Sequence, residues 1–158
     1  MLLFRKILCP TDFSEPSYMA LNAADDLAKE FRSELIILHV ISPIQAFPTA
    51  PGFAPGQPAA SGYIATQVPA EVDGQATESL NLTLKEKISG DVKAKTELLH
   101  GNPAEEIARY AEESNTSVII MGTHGFTGWR HLLLGSVTEK VVRLSTCPVI
   151  TIPAHEEK

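Results

Sequence analysis

Apolar and polar positions along the chain alternate in two different rhythms. "RKILCP" is a short apolar run that ends at Pro10, and "TDFSEP" after it predicts a turn into a helix. Asp12 or Ser14 can cap that helix, with Glu15 and Pro16 suited to its first turn. Ala20, Ala23, Ala24, Leu27, Ala28 and Phe31 then recur at helical spacing and predict one buried stripe. "ELIILHV" follows as a near-continuous apolar run, the pattern of a parallel strand covered on both faces.

Further on, Val72, Ala76, Leu80, Leu84 and Ile88 step by four and predict a second helix. "DVKAKTELLHG" sets Val92, Ala94, Thr96 and Leu98 against Lys93, Lys95 and Glu97, as in a strand at a sheet edge. "NPAEEIARYAEES" opens a third helix, with Asn102 as cap, Pro103 at its first position and Glu105 in capping-box spacing. "SVIIM" reads as another fully apolar strand, residues 136–145 as a last helix, and "CPVITIP" as a last strand closed by Pro153. Strands alternating with helices imply right-handed crossovers onto a mainly parallel sheet.

Residues 42–70 break the rhythm. They carry no charge and hold six of the chain's eleven prolines, which forbids a regular helix or a central strand. The stretch exceeds the usual loop length, so it is either a linker or an ordered cover over a site or interface. Phe47, Phe53 and Tyr63 are the side chains able to tack it down.

Composition narrows the classes. A length of 158 residues with 44% apolar and 20% charged suits one globular domain over 1–158. The net charge of −6 argues against a nucleic-acid partner but leaves room for a small anion held by backbone N–H groups. Cys9 and Cys147 are too few for a disulfide framework or a zinc site; they read as reduced thiols, and a cytoplasmic location is expected. The amino terminus reads as neither signal peptide nor membrane span, and no apolar run approaches the roughly 20 residues a bilayer crossing needs.

The candidate chemistry gathers where strands end. In open α/β sheets, ligands sit beyond the carboxyl ends of the strands, at the switch point in strand order. The first strand leaves into Pro10, Thr11 and Asp12, the second ends at His39, Val40 and Ile41, and the fourth ends at Met121 and Gly122. After it, Gly122, Gly125 and Gly135 allow close approach to the backbone, and Ser136 opens the final helix, where unpaired N–H groups favour an anion. Taken alone, that spacing also suits a glycine-bearing loop with an ordinary serine cap. The P-loop pattern G-x-x-x-x-G-K-[ST] is absent, as is a G-x-G-x-x-G after the first strand.

Over essentially its whole length the chain resembles the universal stress protein family. "KILCPTDFSEPSYMAL" is similar to that family's first strand and acidic turn, and "CPVITIP" to its closing strand. "GTHGFTGWRHLLLGSVTEKVV" fits the motif of its nucleotide-binding members: G-x-x-G, nine residues, then G-[ST]. The resemblance implies a three-layer α/β/α, Rossmann-like fold of the adenine nucleotide α-hydrolase type, with a five-stranded parallel sheet of order 3-2-1-4-5. It also implies an adenine-nucleotide site for ATP, with magnesium or manganese carried by the triphosphate rather than by a dedicated ligand cluster.

Carried over residue by residue, the Val40 backbone would hold adenine, and Asp12, with Pro10 and Thr11, would line the ribose and nearby phosphate. Met121 and Gly122 would flank the sugar; Gly125, Gly135, Ser136 and Val137 would wrap the phosphates. His124 completes the nucleotide set, with Arg130 and His131 the local candidates for a terminal phosphate. The resemblance further implies a homodimer joined through Val149–Ile152, a short apolar edge.

Catalysis is weakly indicated. Asp12, His124 and His131 are available for phosphoryl chemistry, but none forms a recognisable constellation with a partner. His39 and His100 lie at strand ends and read as structural. The expectation is a nucleotide-binding regulatory module acting on an unknown downstream protein. The alternatives are a slow ATPase and a nucleotide-independent dimeric interaction protein.

Overall fold

The computed structural model describes residues 4–43, 70–123 and 136–153. Nine elements follow in chain order: β1 (Lys6–Pro10), α1 (Glu15–Phe31), β2 (Glu34–Ile41), α2 (Ala70–Lys87), β3 (Lys93–His100), α3 (Pro103–Glu113), β4 (Val118–Gly122), α4 (Ser136–Leu144) and β5 (Val149–Ile152). The five strands form one parallel sheet of order β3-β2-β1-β4-β5, so the expected order 3-2-1-4-5 is the observed one. β1 is therefore the switch point: the chain winds outward to β3 on one side, then crosses to β4 and β5 on the other.

The near-continuous apolar strands are buried on both faces, as their pattern requires. Ile7, Cys9, Leu35, Ile37, Val118 and Ile120 face α1 and α2, where Ala20, Leu21, Ala24, Ala28 and Leu80 meet them. The alternate residues Leu8, Ile36, Leu38, Ile119 and Met121 face α3 and α4, against Ala104, Ile107, Ala111 and Val141. Small alanines on the helices let them lie close to branched strand residues, which keeps the core dense. β3 takes the sheet edge that its lysine-bearing alternation predicted, with Lys93, Lys95 and His100 exposed.

Caps set the helix ends. Ser14 is the N-cap of α1, in extended backbone with its side chain accepting from Ser17 N, and Asn102 caps α3 by accepting from Ala104 N. α1 stops at Arg32, whose left-handed φ of 52° turns the chain into β2. Gly101, at φ +142°, joins β3 to α3; a Cβ there would stand 2.9 Å from Glu106 Cγ, so both backbone and space call for glycine.

One expectation shifts. Phe31 is 50% exposed rather than part of the buried stripe, while Leu21 and Asp25 are buried. α1 reaches its last turn beyond the body of the core, and the Phe31 ring settles edge-on against Phe4 at 5.0 Å between centroids.

Candidate functional site

The ends of β1, β2 and β4 lie side by side, because β1 pairs with both neighbours. The first wall is the β1–α1 turn. Thr11 N donates to Leu38 O at 2.8 Å, continuing the β1–β2 ladder one residue past Pro10. Thr11 Oγ1 accepts from Phe13 N at 3.0 Å and lies 2.9 Å from Ser17 Oγ. Ser17 Oγ gives its single proton to Ser14 O at 2.8 Å, so Thr11 must be the donor in the Thr11–Ser17 bond.

Asp12 Oδ1 accepts from Ser14 N at 3.1 Å and from Ser14 Oγ. Of the two candidate caps, then, Ser14 is the cap and Asp12 braces it from before the helix. Phe13 sits at φ +62°, uncommon for an aromatic residue, and turns the chain tightly between them.

β2 holds this turn from the side. His39 Nδ1 lies 2.7 Å from Thr11 O, and its ring stands 4.5 Å from the Phe13 ring. A carbonyl only accepts, so Nδ1 carries the proton. Next along β2, Val40 turns its main chain the other way. Leu38 O bonds towards β1 and Ile41 O accepts Gly101 N from the β3 side at 3.0 Å. Main-chain groups alternate sides along a parallel strand, so the Val40 N–H and C=O face the β1 side, past the last β1–β2 pair at Pro10↔Leu38.

The opposite wall is built by β4 and α4. Met121 is buried, Gly122 half-buried, and Thr123 N donates to Ile152 O at 3.0 Å, which carries β4 one step further along β5. Thr138, 4% exposed, donates its Oγ1 proton to Gly122 O at 2.9 Å. That bond fixes the first turn of α4 beside the end of β4, so the positive end of the helix dipole opens at the strand terminus. Ser136 begins α4, and Val137 is exposed next to it.

Pro10, Thr11, Asp12, Val40, Met121, Gly122, Ser136 and Val137 thus lie at or just beyond the carboxyl ends of β1, β2 and β4 or at the start of α4, on the side of the sheet where the strand order reverses. His124, Gly125, Arg130 and Gly135 lie outside the described residues, as do Phe126, Trp129, His131 and most of the proline-rich stretch. Among the described residues, no group of three or more His, Cys, Asp or Glu side chains could hold a metal, and no helix is long and apolar enough to cross a membrane.

Sequence reading placed His39 at its strand end as a structural histidine but gave it no partner, and it missed Thr138 altogether. Each serves a carbonyl far along the chain, 28 and 16 residues away, so no local pattern announces it. The nearest signal for His39 was a polar side chain ending an otherwise apolar run.

An open, doubly wound parallel sheet of order 3-2-1-4-5, flanked by helices and reversing at β1, defines a Rossmann-like α/β fold. Within that class the chain belongs to the universal stress protein family, whose profile matches residues 3–153. The universal stress protein MJ0531 of Methanocaldococcus jannaschii is 36% identical over 150 residues, 95% of this chain and 82% of the relative. The solved structure of MJ0577 from the same organism is 32% identical, with a TM-score of 0.74 over 98% of this chain and 99% of the other. A universal stress protein from Archaeoglobus fulgidus, solved in complex with dAMP, shares the fold at a TM-score of 0.65 over 96% and 99% of the two chains, with 18% identity.

Proposed function

We propose that this chain binds an adenine nucleotide, ATP foremost, in the β1–β4 crevice and acts as a homodimeric, cytoplasmic regulatory module of stress responses. The observation that carries this reading is the pairing of Asp12 on one wall with Gly122 and the pinned N-terminus of α4 on the other. The Val40 main chain offers one donor and one acceptor towards the crevice, which suits the edge of a purine. The Asp12 carboxylate can accept from ribose hydroxyls, while Pro10 and Thr11 shape the turn beneath the sugar. Met121 and Gly122 flank it with little bulk. Ser136 and Val137 at the head of α4, with Gly125, Gly135, His124 and Arg130, form the phosphate side. That a universal stress protein of the same fold was solved with dAMP supports the adenine component at the level of the fold.

β5 closes the sheet with four half-buried apolar or β-branched residues, Val149–Ile152, and Val142 and Leu144 on the preceding α4 are exposed. An apolar edge beside apolar helix positions supports pairing with a second copy. The proposal is for binding; efficient turnover is not part of it.

The test is thermal unfolding with ATP, ADP, AMP, GTP and cyclic nucleotides, with and without magnesium. A ligand at 100 times its dissociation constant stabilises the fold by about 2.7 kcal/mol, a rise of roughly 5–10 °C for a domain this size. Gly135→Val should remove the ATP-dependent shift while leaving the oligomeric mass unchanged by light scattering. Absence of any shift with wild-type protein would sink the nucleotide reading and favour the interaction module.

A further inference from the structure

We propose that His39 is a positioning residue for the nucleoside half of the crevice, acting separately from Thr138, which positions the phosphate half. The proposal rests on the nucleotide reading above and assigns each half of that site its own clamp. Both clamps have the same chemistry: a side chain from one element donates to a main-chain carbonyl at a strand end. His39 of β2 donates to Thr11 O at 2.7 Å, and Thr138 of α4 donates to Gly122 O at 2.9 Å.

The two clamps hold different walls. His39 bonds the residue immediately before Asp12, and its ring packs at 4.5 Å on Phe13 immediately after it. Asp12 is therefore gripped from both sides by one imidazole. The turn needs such a grip, because Phe13 occupies φ +62°, a region that costs free energy for a residue with a Cβ and relaxes when unsupported. The alternation along β2 also places His39 and Val40 on opposite faces of the sheet, His39 with Phe13 above α1 and Val40 with Leu38 and Ile36 towards α3. One residue thus anchors the turn while its neighbour leaves its main chain turned towards the crevice. Thr138 touches none of this; its bond to Gly122 O ties down the first turn of α4, the turn that carries Ser136 and Val137 on the phosphate side.

The division predicts a double dissociation, read by calorimetric or NMR titration of adenosine and of ATP. His39→Leu should weaken both ligands alike by about tenfold, the worth of one hydrogen bond and the order it imposes. His39→Asn, whose amide can donate near the place of Nδ1, should recover binding to within about threefold of wild type. Thr138→Val should weaken ATP by about tenfold and adenosine by less than about twofold. In the free wild-type protein, imidazole nitrogen shifts should report the Nδ1-protonated tautomer.

A His39→Leu protein with lowered melting temperature but unchanged affinities would reduce His39 to a stability residue and overturn the proposal. So would failure of Asn to rescue, or a Thr138→Val loss shared equally by adenosine and ATP. If wild type bound neither ligand, the nucleotide reading would fall first and this one with it. Binding by wild type with unchanged variants would remove only the clamps.

Discussion

The two ends of the sheet are built from similar residues for different work. At the amino end, polar side chains close on one another and on the chain until little is left over. Asp25, 6% exposed, accepts from Ser89 N at 3.1 Å, Ser89 Oγ at 2.7 Å and Lys29 Nζ at 3.0 Å. Ser117 Oγ accepts from Arg5 N and Lys6 N, Lys6 Nζ donates to Ser114 O at 2.6 Å, and Ser33 Oγ donates to Phe4 O. At the carboxyl end, His39 and Thr138 also satisfy carbonyls, yet what they hold is a left-handed turn, a glycine and a helix start that face outward. One end seals the fold. The other end fixes main chain in positions where a ligand can meet it.

The largest effect should come from breaking the seal. Asp25→Ala removes the acceptor of two Ser89 bonds and of the Lys29 ion pair, a loss of about 2–3 kcal/mol. Urea unfolding should read that loss, with a fall in melting temperature of roughly 5–10 °C. Adenine-nucleotide affinity, measured well below the transition, should not change. An affinity loss as large as the stability loss would mean the two ends are not separable.

The same carboxylate gives the seal a pH dependence. Burial pushes the Asp25 carboxyl up, but the Ser89 and Lys29 hydrogen bonds outweigh it and hold the group below its ordinary value. A depressed folded-state value means that the unfolded chain takes up the proton first. The stabilisation is therefore complete above the ordinary carboxylate value of about 3.9 and is lost as pH falls through the lower, folded one. Wild type should lose stability below about pH 4 more steeply than Asp25→Asn, by denaturant midpoints across pH 5 to 2.5. Parallel curves for the two proteins would place the acid sensitivity elsewhere.

Asp12 sharpens the contrast at the other end, with a smaller cost to the fold. Its Oδ1 braces Ser14, so Asp12→Ala should cost about 1 kcal/mol of stability. Asp12→Asn keeps an acceptor oxygen for Ser14 N but loses the charge and exchanges the second oxygen for an amide NH2. Stability should then stay within about 0.5 kcal/mol of wild type, while nucleotide affinity falls by roughly 10–100-fold, the range for a hydrogen bond to a charged group. Unchanged affinity in both variants would remove Asp12 from the site.

Much of the fold was legible because its signals are local. The apolar runs at Leu35–Leu38 and Val118–Met121 declared buried parallel strands, and Asn102–Pro103 declared a helix start. The switch point followed from the alternation of elements and the family resemblance together. What escaped was polar and long-range. Asp25 falls outside the apolar stripe expected on α1, and its partner Ser89 lies 64 residues away. Asp12 and Ser14 could each have capped α1, and only backbone geometry chose Ser14. The glycine spacing pointed to the crevice, whereas the side chains that hold its two described walls, His39 and Thr138, carry no spacing signature at all.

The smallest effect concerns the layer between the two ends. Cys9 lies in β1 just before Pro10, fully buried, and burial pushes its thiol up to about 12. Cys147 precedes β5, half-exposed, and its thiol is raised less, burial being partly offset by a backbone hydrogen bond. At pH 8 a thiol near 12 is thiolate in about one molecule in 10⁴, and alkylating reagent must also reach it through the core. Iodoacetamide should therefore label Cys147 first, and Cys9 only when the fold opens. The Cys9 rate then becomes a ruler for both ends of the sheet. Asp25→Ala should raise it in proportion to the lost stability, Asp12→Asn should leave it unchanged, and saturating ATP should lower it in wild type but far less in Asp12→Asn. Equal labelling of both cysteines in native protein would show that β1 is reached without unfolding, and the core would not insulate one end from the other.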